Sequence, residues 1–291
     1  MSTLKLLSLN ARGLNDYCKR QTLYDWLRDI KCQIVFLQET NYINGKENIY
    51  NARWHGSSYH CFSTSAHSRG VSILFQKNLS LIIHNVHKSD DGRILLINIE
   101  YEQNIITLVN IYAPNSESER CKFFKKLTSW VSQYCLNEEN IIIVGDFNSS
   151  YIAKNRSSKS IDNMKYKFSL TDIWDKINPE KEGNTWCDSN NNPKSRIDYI
   201  FSTEDLCYPI EKIFLRKPPD VSTSRMSDHM AFIFYCTVST NRRGSGYWKM
   251  NTSILHDINF CNIINNFFDQ IPESISKEND PQVRWEIIKY Q

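Results

Sequence analysis

The chain has 291 residues, 41% hydrophobic and 23% charged, with a net charge of +3. This composition excludes a disordered or fibrous protein, and the length allows one large α/β domain or two smaller ones. A net charge this small confines any nucleic-acid contact to a local patch. The nine cysteines (18, 32, 61, 121, 135, 187, 207, 236 and 261) are scattered and form no CxxC pair, which argues against a zinc knuckle. The opening "MSTLKLLSLNARGLN" has no apolar stretch of signal-peptide length, and no run approaches a membrane span. These features predict a soluble protein of a reducing compartment, nuclear or cytoplasmic, with free thiols and no membrane partner.

In chain order, "LKLLSLN" (4–10) reads as a short strand closing on Asn10. Leu23, Trp26, Leu27 and Ile30 then recur at helical spacing, with Asn15 or Asp16 as the cap. "CQIVFLQET" (32–40) is a second buried strand. "GVSILFQK" (70–77), "GRILLINIEY" (92–101) and "NIITLVNIYAPN" (104–115) read as three more, the last stopped by Pro114. Residues 117–134 carry Phe123, Phe124, Leu127, Trp130, Val131 and Tyr134 on one side of an amphipathic helix. "IIIVGDFN" (141–148) is an apolar run that stops at a glycine and then shows a carboxylate and an amide. A short helix in "SLTDIWDKINP" ends at Pro179, and "RIDYIFST" (196–203) and "HMAFIFYCTV" (229–238) are the last strands. Many strands are apolar on both faces, which predicts sheets covered by helices. A composition break at 239–251 divides a domain at 1–238 from a segment at 239–291. That segment holds a helical pattern in Ile254, Leu255, Ile258, Ile263, Ile264 and Phe267.

The apolar runs end in a recurring set: Asn10, Glu39, Tyr112 with Asn115, Asp146 with Asn148, Asp198, and Asp228 with His229. In an open α/β sheet, ligands sit at strand ends on one edge. No glycine-rich phosphate loop and no Ser-His-Asp order is present. Hard oxygen donors with one histidine suit Mg²⁺. A hard cation beside an Asp–His pair suggests attack of water on a phosphate ester.

The stretches "SLNARGL", "QET", "HSRGVSILF", "NIYAPN", "GDFN", "SRIDYIF" and "SDHMAF" occur in this order over about 1–238. In order and spacing they resemble the endonuclease/exonuclease/phosphatase superfamily, which includes DNase I and apurinic/apyrimidinic endonucleases. Within it they are most similar to the endonuclease of LINE-type, non-LTR retrotransposons. "YWKMNTSIL" (247–255) resembles the linker of such elements, and no reverse-transcriptase sequence follows it, so the chain reads as a fragment or a remnant.

The resemblance implies a DNase I-like α/β fold, a four-layer sandwich of two mixed β-sheets flanked by helices. It implies a Mg²⁺-dependent nick in one strand of double-stranded DNA, leaving 3′-hydroxyl and 5′-phosphate ends. Mn²⁺ is a possible substitute, and a reverse transcriptase in cis is the implied partner. Glu39 would bind the metal with Asn10 close to it, and Asp228 would serve a second metal or stand behind the first. Asp146 would activate water, Asn148 and Tyr112 would hold the phosphate, and His229, oriented by Asp198, would bind or protonate a phosphate oxygen. Asn115 and Ser227 would support them.

Arg12 stands where repair-type relatives carry an acidic residue, which disfavours a second metal and helps bind backbone phosphate. The segment 183–196 resembles a hairpin that enters the minor groove. It places Thr185 near a displaced base, and Lys194, Arg196, Arg225, Arg69, Arg216 and Lys217 are candidate phosphate contacts. Two alternatives are a phosphatase or phosphodiesterase of the same fold, and an inactive nucleic-acid-binding remnant.

Overall fold

The computed structural model describes residues 2–63, 69–150, 156–190, 192–203, 206, 210–222, 224–238 and 258–269. The chain separates into two compact units, Met1–Thr240 and Asn241–Gln291. Of the second unit, the described part is one helix, α6 (Ile258–Asp269), on which Ile258, Ile263 and Ile264 are exposed. The break at 239–251, Ile254 and Leu255 lie outside the described residues.

The first unit holds two six-stranded sheets. One runs β13 (Ile210–Arg216), β14 (Ala231–Val238), β1 (Ser2–Asn10), β2 (Ile34–Gln38), β4 (Val71–Gln76), β3 (Gly56–Cys61). The other runs β5 (Ile82–Lys88), β6 (Ile94–Tyr101), β7 (Asn104–Tyr112), β8 (Ile141–Asp146), β12 (Asp198–Thr203), β9 (Leu170–Asp172). Each sheet has one parallel pair, β1 with β2 and β7 with β8, and its other pairs are antiparallel. Parallel neighbours need a crossover. Here the crossovers are α1 (Tyr17–Asp29) and α3 (Glu117–Tyr134). Asp16 caps α1 by accepting from the Lys19 amide at 2.7 Å. Shorter pieces complete the unit: α2 (Glu47–Asn51), α4 (Arg156–Lys167), α5 (Ile173–Ile177) and a hairpin of β10 (Trp186–Cys187) and β11 (Pro193–Ser195).

Strand alternation builds three apolar layers. Leu4 and Leu6 of β1, Ile142 and Val144 of β8 and Leu95 and Ile97 of β6 fill the space between the sheets. Leu7 and Leu9 of β1 face the other way and pack with Leu23, Tyr24 and Leu27 of α1. Ile141 and Ile143 of β8 do the same with Phe124, Leu127 and Val131 of α3 and Ile161 and Met164 of α4. The result is helix, sheet, sheet, helix, the four-layer sandwich of two mixed sheets.

One buried histidine makes this packing pH-sensitive. His60 on β3 is 3% exposed, accepts from Ser72 Oγ at Nδ1 (2.8 Å) and donates from Nε2 to Asn51 Oδ1 (2.9 Å). This pairing suits a neutral ring. Burial, with a smaller contribution from Lys88, lowers its pKa from 6.5 to about 4. The unfolded chain therefore takes up a proton below pH 6.5 that the folded chain refuses, and stability falls as pH drops through that window. The expected loss is roughly 2 kcal/mol between about pH 7 and about pH 5. Urea unfolding of wild type and His60→Gln at both pH values checks it. Equal losses in the two proteins would rule His60 out as the source.

Candidate active site

The carboxyl ends of all four parallel strands emerge at one edge of the sandwich. β1 ends at Asn10, β2 just before Glu39, β7 at Tyr112 and β8 at Asp146. β12 runs antiparallel to β8 and begins there, with Asp198 directly opposite Asp146. β14 begins two residues after His229. These ends surround a cavity of about 420 Å³ lined by Arg12, Glu39, Tyr112, Asn115, Asp146, Asn148, Trp186, Ile197, Asp228 and His229. Topology thus brings together side chains more than 200 residues apart in sequence.

Backbone strain marks the rim. Arg12, Glu39 and Asn148 leave their strands in the left-handed region, with φ of +50°, +49° and +47°. For a residue other than glycine this costs about 1–2 kcal/mol. The strain is held by backbone hydrogen bonds between the segments after β1 and β2: Ala11 N to Gln38 O, Gly13 N to Glu39 O and Leu14 N to Thr40 O. Below the rim, Gln38 and Asn110 are fully buried and join the two sheets. Gln38 Nε2 donates to Asn110 Oδ1 at 2.7 Å, and Asn110 Nδ2 donates to Leu37 O and Ser72 O.

Asn10 Nδ2 donates to Glu39 Oε1 at 3.0 Å and to Asp146 Oδ2 at 2.9 Å, so one amide holds both carboxylates. Its Oδ1 accepts from Arg12 N at 3.0 Å. Asn10 thus lies against Glu39 and positions the acidic pair. Tyr112 hydrogen-bonds Glu39, and its ring packs against the Arg93 guanidinium. Burial first, then Glu39, raises its pKa, so the phenol keeps its proton. Asn148 N donates to Asp146 Oδ1, and Asn148 Nδ2 to Ala113 O.

His229 Nδ1 donates to Asp198 Oδ2 at 2.8 Å, and its Nε2 stands 4.0 Å from Asp146 Oδ2. Burial disfavours the imidazolium, but Asp198, Asp146 and Asp228 outweigh it and raise the ring's pKa. Asp146 is also shifted upward, by burial first and then by the Asp198 carboxylate. Ser227 ties the His229 loop to β1: its Oγ donates to Asn10 O and accepts from His229 N. Asn115 sits exposed on the rim, its carbonyl bonded by Arg120.

The hairpin lies against this loop. Trp186 bridges His229, Cys187 N donates to Asp228 O, and Met230 N donates to Thr185 O. Three sequence expectations change here. Thr185 is fully buried, and its Oγ1 accepts from Ile197 N and Asp198 N, so it holds the start of β12 and cannot meet a displaced base. Arg196 is 5% exposed and paired with Asp175 at 2.7 Å and Asp172 at 3.5 Å, which leaves it no face for a phosphate backbone. Arg225 braces the loop to the hairpin through Ser227 O and Asp188 O. Lys194 is exposed and lies 3.4 Å from Asp188. Trp186 and Ile197 line the cavity without having been singled out in the sequence.

The donor set suits a hard divalent cation. Oxygens of Asp146 and Asp198 and a His229 nitrogen lie within 4.8 Å of one another. The bond from Nδ1 commits Asp198 to the histidine, so the oxygens of Glu39 and Asp146 are the better donors for a hard divalent cation.

Residues 7–229 match the model of the Endonuclease/Exonuclease/phosphatase family. The Transposon TX1 uncharacterized 149 kDa protein of Xenopus laevis is 27% identical over 270 residues, which is 89% of this chain and 20% of that protein. The chain thus spans about a fifth of that relative's length. An AP endonuclease from Archaeoglobus fulgidus superposes with a TM-score of 0.66 at 18% identity, over 81% of this chain and 100% of the other. The endonuclease domain of TRAS1, a telomere-specific non-LTR retrotransposon, gives 0.60 at 15% identity, over 81% and 99%. At these identities the two structures establish a shared fold. No described helix is long and apolar enough to cross a membrane. The family match runs through both sheets and takes in every residue that lines the cavity, so the chain belongs to the Endonuclease/Exonuclease/phosphatase family.

Proposed function

We propose that the first unit is a Mg²⁺-dependent DNA endonuclease that nicks one strand of a duplex. The observation that carries this reading is the convergence of Glu39, Asp146 and His229 in one cavity, with Asp198 behind the histidine. Glu39 and Asp146 would hold the cation. Mg²⁺, or Mn²⁺ in its place, supplies positive charge that offsets the phosphoryl oxygens and the departing 3′ oxygen. Asp146, held by the Asn10 amide and the Asn148 N–H, would take a proton from the attacking water. His229, fixed by Asp198, presents Nε2–H to a phosphoryl oxygen as negative charge develops there. Asn148, through the second N–H of its amide, would orient the phosphate, and Tyr112, whose hydroxyl is given to Glu39, would line its seat; both are neutral and add no repulsion. Water forms a bond to phosphorus as its proton passes to Asp146, the P–O3′ bond breaks, the departing O3′ takes a proton from solvent, and the products are a 3′-hydroxyl and a 5′-phosphate.

Kinship with a transposon protein and with a retrotransposon endonuclease fold supports a role in element insertion. The 3′-hydroxyl then primes a reverse transcriptase carried elsewhere in the same polypeptide. Residues 1–238 would be the nuclease and 239–291 the connection toward that partner.

Supercoiled plasmid incubated with the protein should convert to open circles with Mg²⁺ and stay intact with EDTA. DNA ligase should reseal the nicks, since it needs a 3′-hydroxyl facing a 5′-phosphate. Intact plasmid at high Mg²⁺, with release of phosphate from a soluble phosphomonoester instead, would replace this reading by a phosphatase.

A further inference from the structure

Among the described residues, four carboxylates reach the cavity or its floor: Glu39, Asp146, Asp198 and Asp228. Two of them are committed. Asp198 Oδ2 takes His229 Nδ1 at 2.8 Å. Asp228 Oδ2 takes both Arg12 Nη1 at 2.9 Å and Trp186 Nε1 at 3.3 Å. The other two, Glu39 and Asp146, receive hydrogen bonds from neutral groups, the Asn10 amide, the Tyr112 hydroxyl and the Asn148 backbone. His229 Nε2 stands 4.0 Å from Asp146, outside hydrogen-bond reach.

Arg12 is built into this arrangement. Its backbone is left-handed, its N–H donates to Asn10 Oδ1, and its carbonyl accepts from Lys19 Nζ at 2.8 Å. The residue that carries the guanidinium is therefore pinned to the same asparagine that holds Glu39 and Asp146. The Arg12 side chain is 63% exposed, and an exposed ion pair alone is weak. Asp228, however, is only 19% exposed, and Trp186 binds the same oxygen. A divalent ion placed on Asp228 would stand against the guanidinium, and like charges repel.

We propose that Arg12 is the resident counter-cation of Asp228, so that the centre takes a single divalent cation, on the Glu39–Asp146 side. Arg12 then supplies the second positive charge that faces the phosphodiester. This rests on the metal-dependent reading above.

Mn²⁺ titrated into the metal-free protein and followed by electron paramagnetic resonance should bind one ion per chain. Arg12→Asp changes an exposed side chain, and Asp tolerates the left-handed backbone. That variant removes the counter-cation and adds a carboxylate beside Asp228, so the stoichiometry should rise to two. Arg12→Asp combined with Asp228→Asn should return it to one. Two ions in the wild type, one in Arg12→Asp or two in the double variant would each overturn the proposal. Glu39→Gln tests the metal centre separately: Mn²⁺ binding unchanged in that variant would place the cation elsewhere and overturn the metal-dependent reading itself.

Discussion

Asp146→Asn should abolish nicking, a fall of at least about 10³-fold, and should melt no lower than wild type in metal-free buffer. His229→Asn should lose a comparable factor. The two effects share a cause in geometry. Asp146 is the carboxylate between the Asn10 amide and the Nε2 side of His229, so both the proton acceptor and the phosphoryl donor sit on one line of contacts. The stability side follows from burial. Asp146 is 1% exposed, and its upward shift means that the ionised form destabilises the folded state when no cation is present. Asparagine has nearly the same shape and never ionises, so that cost disappears with the activity and outweighs the one hydrogen bond lost where its NH2 faces the Asn10 or Asn148 donor.

Asparagine is also the informative choice at 229. Its amide still donates to Asp198, whereas alanine would leave a buried carboxylate unpartnered, at a cost of about 3 kcal/mol. Plasmid nicking under single-turnover conditions, with calorimetric melting of the same samples, tests both variants. Near-wild-type nicking by either one would remove the role assigned to that residue.

Gly145→Ala should unfold or severely destabilise the first unit, by about 4 kcal/mol against a typical total of about 5–15. Gly145 sits inside β8 with φ of +143°, opposite Ile111 of β7. A Cβ there would stand 2.1 Å from Ile111 O, an acceptor in the backbone ladder that cannot step aside. Side chains rarely adopt that φ, so overpacking and backbone strain add. This explains why the apolar run stops at a glycine before its aspartate. The close approach of β7 and β8 puts Asp146 level with Tyr112, and that level sets the floor of the cavity. Urea unfolding measures the loss. A midpoint indistinguishable from wild type would mean that β7 and β8 are not so closely apposed.

The sequence was legible where strands are covered on both sides. All eight interior strands, β14, β1, β2, β4, β6, β7, β8 and β12, stand out as apolar runs, because the neighbouring sheet buries one face and helices bury the other. The four edge strands, β3, β5, β9 and β13, were not read as strands. β5, "IIHNVHK", shows why: one side meets water, and polar residues there also blunt the free edge. The lining of the candidate site was legible as a list of polar residues at strand termini, since each lies at the end or just at the start of an interior strand.

Misread were residues whose partners are remote. Arg196 looked like a phosphate contact because nothing local shows that Asp172 and Asp175 fold against it. Thr185 looked exposed within a turn-rich stretch, yet its hydroxyl bonds the first amides of β12. Trp186 stayed hidden because its approach to Asp228 depends on how the hairpin lies on the His229 loop.

The placement of β1 between β2 and β14 has a consequence for synthesis of the polypeptide. Within this unit β1 is made before β14, the strand that pairs with it, and His229 arrives just ahead of that strand. A nascent or prematurely terminated chain therefore carries Asn10, Glu39 and Asp146 without the imidazole opposite them. The imidazole takes its place beside those side chains only once β14 has been made and has paired with β1.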